Sequence, residues 1–180
     1  MKKDTKMKAK TTKNKLNITG ADAKWKKQLP DINALSQKLF DDIIEYLNPG
    51  FLENKKKVSA NLELSCDDSV QKLNSEFRSI DKPTNVLSFA TMDDEEFWDY
   101  IEEIDEVELG DIIVALETMQ KQAEEQEISF QNHYCHIFTH AILHLLGYDH
   151  IDDEDREEME ALEIELLKHF DIANPYEDID

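Results

Sequence analysis

The chain has 180 residues, enough for one domain around a single core. Its formal charge of −21, with 34% charged residues, argues against a uniformly basic nucleic-acid binder. No window approaches eighteen consecutive apolar residues, so nothing reads as a membrane span.

The charge is uneven. Residues 1–30 hold ten lysines against Asp4 and Asp22, a balance of +8, which leaves −29 of the total for residues 31–180. Residues 1–14 are lysine-rich and nearly free of apolar side chains, so they read as a basic disordered tail ahead of one domain over 15–180. A solvated tail is the favoured reading over an RNA- or ribosome-binding arm. The tail has no apolar core for a signal peptide and no arginine.

Leu16-Asn17-Ile18 suggests a short first strand. Ile32, Leu35, Leu39, Ile43 and Leu47 recur at helical spacing and predict a helix over 31–47, stopped by Asn48-Pro49-Gly50. Val58 to Ser65 alternates as a half-buried strand. Asp67 or Asp68 is expected to cap the next helix, which carries Val70, Leu73, Asn74 and Phe77 and ends at Arg78. Asp81-Lys82-Pro83 makes a turn, and Asn85 to Phe89 a buried strand. Residues 92–108 are rich in acids, with Phe97, Trp98, Tyr100 and Ile101 among them; a solvated loop with some aromatic docking is expected. Glu108 to Val114 gives a fourth strand, followed by a helix through about Glu125. Phe130 to Leu146 is apolar on most sides and predicts a central helix. Asp152 or Asp153 starts the last helix, with Met159, Leu162, Leu166 and Leu167 as its buried stripe, and Asn174-Pro175 ends the fold. The expected fold class is α+β: a small mixed four-stranded sheet covered by helices, with a metal site at the end of the central histidine-bearing helix.

That site is the sharpest signal in the chain. His140 and His144 lie four apart, on one face of the helix. Gly147 allows a left-handed turn that swings His150 round as a third ligand. Three protein nitrogens with a fourth position free is the open arrangement of a catalytic zinc. His136 forms a rival triple with His140 and His144, but its outer members would sit about 12 Å apart along the axis, too far for Zn–N bonds of about 2 Å. His136 therefore reads as a core residue or a support for the ligands, and His133 and His169 carry no usable signal. The spacing also matches the H-E-x-x-H-x-x-G-x-x-H pattern of a class of zinc peptidases, except that the general-base glutamate is replaced by Ala141. A methyl group takes no proton, which argues against peptidase chemistry. The two cysteines, Cys66 and Cys135, show no C-x-x-C spacing, so a reducing cytosolic setting is the default; Cys135 reads as a small buried residue.

Three segments together resemble the YbeY family of metal-dependent endoribonucleases and ribosomal RNA maturation factors. They are His140 to His150 (HAILHLLGYDH), Leu73 to Phe89 (LNSEFRSIDKPTNVLSF) and Glu108 to Ile113 (ELGDII), and the likeness runs from about residue 15 to the C-terminus. The family usually has glycine where this chain has Ala141; the added methyl could narrow the site if substrate or a facing helix passes there. The resemblance implies a single-strand-specific endoribonuclease acting in the cytoplasm in ribosomal RNA processing (16S rRNA maturation) and ribosome quality control. It implies His140, His144 and His150 as ligands of one Zn2+ and Arg78 as the catalytic arginine. It also implies partners in single-stranded RNA, ribosomal RNA and the ribosomal small subunit or a basic ribosomal protein. Independently of the family, a guanidinium forks onto phosphate oxygens and stays charged as the transition state gains negative charge. Lys82 is a weaker candidate for a phosphate contact, Asp149 for orienting a ligand histidine, and Asp111 for a polar role. No general base is identifiable; water activated by the ion or the RNA 2′-hydroxyl would serve. Two rivals remain: a ribosome assembly factor with a largely structural zinc, and, less favoured, a zinc peptidase.

Overall fold

The computed structural model describes residues 13–177, so the tail reading for residues 1–14 falls almost wholly outside the described residues. Four strands form one mixed sheet: β1 (Lys13–Thr19), β2 (Lys57–Ser65), β3 (Val86–Ala90) and β4 (Glu106–Ala115). Their spatial order is β1-β2-β4-β3, with β1, β2 and β4 parallel and β3 antiparallel to β4 at one edge. Seven helices are found among the described residues: α1 (Ala23–Gln28), α2 (Ile32–Leu47), α3 (Asp67–Arg78), α4 (Phe97–Tyr100), α5 (Leu116–Glu125), α6 (Phe130–Leu145) and α7 (Asp153–Lys168). The expected α+β class is what forms, and none of the described helices is long and apolar enough to cross a membrane.

Strand alternation sorts the core into two unequal halves. Val58, Ala60, Leu62 and Leu64 of β2 and Val107, Leu109, Ile112 and Val114 of β4 join the main core with α2 and α6. Ile113 and Ala115 belong instead to a small second cluster with Leu87 and with Val70 of α3. Gly110 lies where β4 carries one residue more than β2: Ser59 pairs with Glu108, but Asn61 pairs with Asp111. Its φ is +135°, and a Cβ there would lie 2.0 Å from the Phe89 carbonyl oxygen, so only glycine fits the bulge.

α6 is central, touching β3, β4, α2, α5 and α7. Its buried aromatic side chains meet Ser36 and Trp25: the Tyr134 and Ser36 hydroxyls are 2.6 Å apart, and Trp25 lies edge-on to Tyr134. Burying so many large side chains on one helix holds its histidine-bearing end firmly against the sheet.

Several local expectations change. α1 is an addition: Asp22 caps it by accepting from the Lys24 and Trp25 amides, and Trp25 docks its indole N–H on the Ser65 carbonyl. Cys66, rather than Asp67 or Asp68, is the residue before α3. The Asp67 carboxylate is turned instead to α5, where it accepts from the Thr118 amide and hydroxyl. The 92–108 segment is more ordered than a loop, with helical turns at Thr91–Asp93, Phe97–Tyr100 and Ile101–Glu103 seated by buried Phe97 and Ile101. β3 is an edge strand in which Leu87 alone is buried.

Candidate metal centre

α6 ends in a turn dictated by Gly147. Leu146 closes the helix, Gly147 takes φ +92°, the Gly147 amide donates to the His144 carbonyl, and the Tyr148 amide donates to that of Leu143. This pair of bonds is the Schellman arrangement, which needs a left-handed residue at the glycine position. The chain then doubles back, and the ring nitrogens of His140, His144 and His150 all lie within 4.8 Å of one another.

The ring orientations define which nitrogens face the common point. His140 Nδ1 lies 2.5 Å from Glu163 Oε1, and His144 Nδ1 lies 3.0 Å from the Tyr148 carbonyl oxygen. A carbonyl and an ionised carboxylate accept only, so both Nδ1 atoms carry the proton and donate. Both Nε2 atoms therefore carry lone pairs, and they lie 3.0 Å apart facing each other. Two acceptors at that separation repel unless something electron-poor sits between them. Two nitrogens on one tetrahedral zinc at about 2.05 Å would be about 3.3 Å apart. The donor set fits a borderline divalent ion of the zinc type, with exposed His150 as the adjustable third ligand.

Electrostatics agree. Burial, with His140 and His150 nearby, pushes the His144 imidazole down to about 4, so it is neutral and free to ligate. Glu163, from α7, has 0% exposure. Burial drives its carboxyl upward, but hydrogen bonds from His136, His140 and the Tyr176 hydroxyl outweigh this and hold it at about 2. It is the acceptor that orients His140. The sequence reading gave Glu163 no role; the available signal was a carboxylate four residues after Met159 and three before Leu166, on the buried stripe of α7.

The three histidines line one cleft of 460 Å³ with Arg78, Asn85, Ser88 and Asp93. Arg78 is the last residue of α3, exposed, and makes no ion pair among the described residues. The buried Asn74 side chain donates to the Lys82 carbonyl, pinning the loop that follows Arg78. Lys82 itself is exposed and does not line the cleft. Asp149 accepts from the His150 backbone amide instead of orienting a ring. Asp111 faces a separate groove on the sheet, where it accepts from Asn61 Nδ2. Ala141 is fully buried in the core and lines neither cavity beside the histidines, so its methyl does not narrow the cleft. His136 contacts Glu163 at 3.0 Å; His133 Nε2 donates to Gln122 Oε1, and His169 packs edge-on to Tyr46. Cys135 is buried, and burial pushes its thiol up to about 12, which leaves it inert.

Comparison with known proteins gives a consistent result. The family described as Endoribonuclease YbeY matches residues 21–171. Endoribonuclease YbeY of Bradyrhizobium diazoefficiens is 41% identical over 155 residues, covering 86% of this chain and 80% of that protein. Endoribonuclease YbeY of Francisella philomiragia is 46% identical over 131 residues, covering 68% and 76%. The solution structure of TM1509 from Thermotoga maritima has a TM-score of 0.53 and 24% identity, covering 92% of this chain and 97% of that one, a likeness of fold.

Proposed function

We propose a function from one premise: the chain belongs to the endoribonuclease YbeY family. It cuts single-stranded RNA internally, in ribosomal RNA processing (16S rRNA maturation) and ribosome quality control in the cytoplasm. One domain over residues 15–180 carries the activity. The observation that supports this most is the set of three imidazoles sharing a cleft with an unpaired arginine.

His140, His144 and His150 hold one zinc ion. Such an ion lowers the pKa of a bound water towards about 7 and polarises a phosphoryl oxygen. Arg78 binds the scissile phosphate: its guanidinium bridges two oxygens and neutralises charge as it develops. Val86, Ser88 and Ala90 of edge strand β3 line one side of the cleft. Helix α6, packed against β3, β4, α2, α5 and α7, holds His140 and His144 in place while substrate exchanges.

The acidity of residues 31–180 opposes RNA approach at distances inside the Debye length of about 8 Å. The ribosomal small subunit, or a basic ribosomal protein, is the partner that would offset that charge. Naked RNA is accordingly a weak and salt-sensitive substrate.

The test uses end-labelled single-stranded RNA with zinc-loaded wild type, Arg78→Ala and His144→Ala, with bound zinc quantified on each. Wild type is expected to cut. Arg78→Ala should keep its zinc and lose about 10²-fold or more in rate; His144→Ala should lose both. Identical trace cutting by all three would make it a contaminant and leave the chain a binding factor. Product ends then identify the nucleophile: a cyclic phosphate with a 5′-hydroxyl marks the RNA 2′-hydroxyl, and a 3′-hydroxyl with a 5′-phosphate marks water.

A further inference from the structure

The carboxylate that braces His140 is itself held from two sides. Glu163 Oε1 serves His140, while Oε2 accepts from His136 Nε2 at 3.0 Å and from the Tyr176 hydroxyl. Tyr176 lies beyond α7, on the segment after Asn174, whose side chain accepts from the Tyr176 amide. We infer that Tyr176 is a positioning residue for the metal centre: with His136 it fixes the plane of Glu163, so that His140 presents Nε2 to the metal, and the C-terminal segment acts as a strap across the back of the site. The inference rests on the metal reading given above and extends it to residues outside the cleft.

Three observations carry it. A carboxylate with no exposure keeps its orientation only if both oxygens are satisfied, because each unmet bond in a buried site leaves a strong acceptor seeking another donor. Both donors to Oε2 belong to the strap and to the helix turn before His140. The Tyr176 ring also stands edge-on to His136, with centroids 5.4 Å apart and planes at 86°, so the two donors hold each other as well as the carboxylate.

Second, a small cavity of 160 Å³ is lined by His140, His150, Arg156, Met159, Glu163 and Tyr176. His140 and His150 thus border both this cavity and the main cleft. Tyr176 lines this cavity and does not line the cleft that holds Arg78. A donor there sets ligand geometry without touching substrate.

Third, the Tyr176 ring is 40% exposed and takes no part in the main core cluster, unlike Phe170 and Ile172 just before it. Its hydroxyl bonds Glu163 and lies 3.2 Å from His136 Nε2. Removing the hydroxyl therefore separates a role at the metal from a role in the fold, which truncating a core residue would not do.

The test compares wild type, Tyr176→Phe and Glu163→Gln by two readouts. Zinc affinity is measured by competition with a chromophoric chelator, and the ring nitrogens of His140 are followed by 15N NMR in the metal-free protein. Glu163→Gln is expected to weaken zinc about 10- to 100-fold and Tyr176→Phe about tenfold, the range for groups that orient metal ligands. The metal-free denaturation midpoint of Tyr176→Phe should not move. His140 should pass from one fixed tautomer, protonated at Nδ1, to a mixture in both variants. Wild-type affinity and a wild-type tautomer in Tyr176→Phe would overturn the inference, even with Glu163→Gln impaired. Should Glu163→Gln fail to fold, Tyr176→Phe decides alone. Should wild type bind no zinc, the metal reading falls, and the tautomer of His140 still decides whether the strap sets it.

Discussion

Replacing Gly147 with alanine tests the turn that brings His150 to the other two ligands. At φ +92° a Cβ is disfavoured by about 1–2 kcal/mol relative to glycine. The new Cβ would also lie 2.8 Å from Met92 Sδ. A thioether tip on three rotatable bonds moves aside at small cost, so the backbone supplies most of the effect. That cost has two places to appear. If the turn keeps its shape without metal, the unfolding free energy of the metal-free protein falls by about 1–2 kcal/mol. If the turn relaxes and must be re-formed by the ion, zinc affinity falls instead, by about 5- to 30-fold at 1.4 kcal/mol per factor of ten. Urea denaturation of chelator-treated protein and a chelator-competition titration measure the two parts, which should sum to about 1–2 kcal/mol. Adding Met92→Ala should rescue little. Wild-type values in both assays, or full rescue by Met92→Ala, would refute the reasoning from backbone conformation.

Three other expectations follow from the same packing. Burial, with the nearby His136 charge, pushes the His133 imidazole from 6.5 down to about 4. The unfolded chain binds that proton first, so the metal-free fold should keep this contribution above pH 6.5 and lose about 3 kcal/mol of it as pH falls towards 4. His144 adds in the same direction, and His133→Gln should flatten the pH dependence of the urea midpoint; a midpoint constant from pH 6.5 to 4.5 would contradict this. Phe138 is fully buried and stacked on Tyr134 at 5.7 Å, so Phe138→Ala should cost about 3–5 kcal/mol by denaturant titration, and a loss below 1 would remove α6 from the core. Deleting residues 1–12 removes five lysines and one aspartate, and the salt dependence of RNA affinity should stay as it was; a shallower slope would make that segment an RNA arm.

What the sequence made legible was what local rules govern. The clustering of His140, His144 and His150 could be read because i, i+4 spacing and a following glycine leave few geometries open, and β2 because its alternation has period two. Arg78 could be placed at a helix end, though its meeting with the histidines depends on how α3 and α6 lie across edge strand β3. Glu163 was hidden by composition: α7 carries so many acids that one on the buried stripe looks like the rest until its partners are seen. Tyr176 came from beyond the expected end of the fold, and its contact with Glu163 closes a span of 13 residues that carries no local pattern. α1 was short, with Trp25 as its one buried residue, and offered no periodicity to detect. Asp149 illustrates the reverse error, since an acid beside a ligand can bond its neighbour's backbone more cheaply than a ring.

The most direct test of the central claim is RNA cleavage rate against bound zinc per chain, measured on the same samples as zinc is returned to fully stripped protein. The account predicts no cutting without metal, a linear rise, and a plateau at one ion per chain. Cutting by stripped protein at the plateau rate, or zinc bound at one per chain with no gain in cutting, would contradict it.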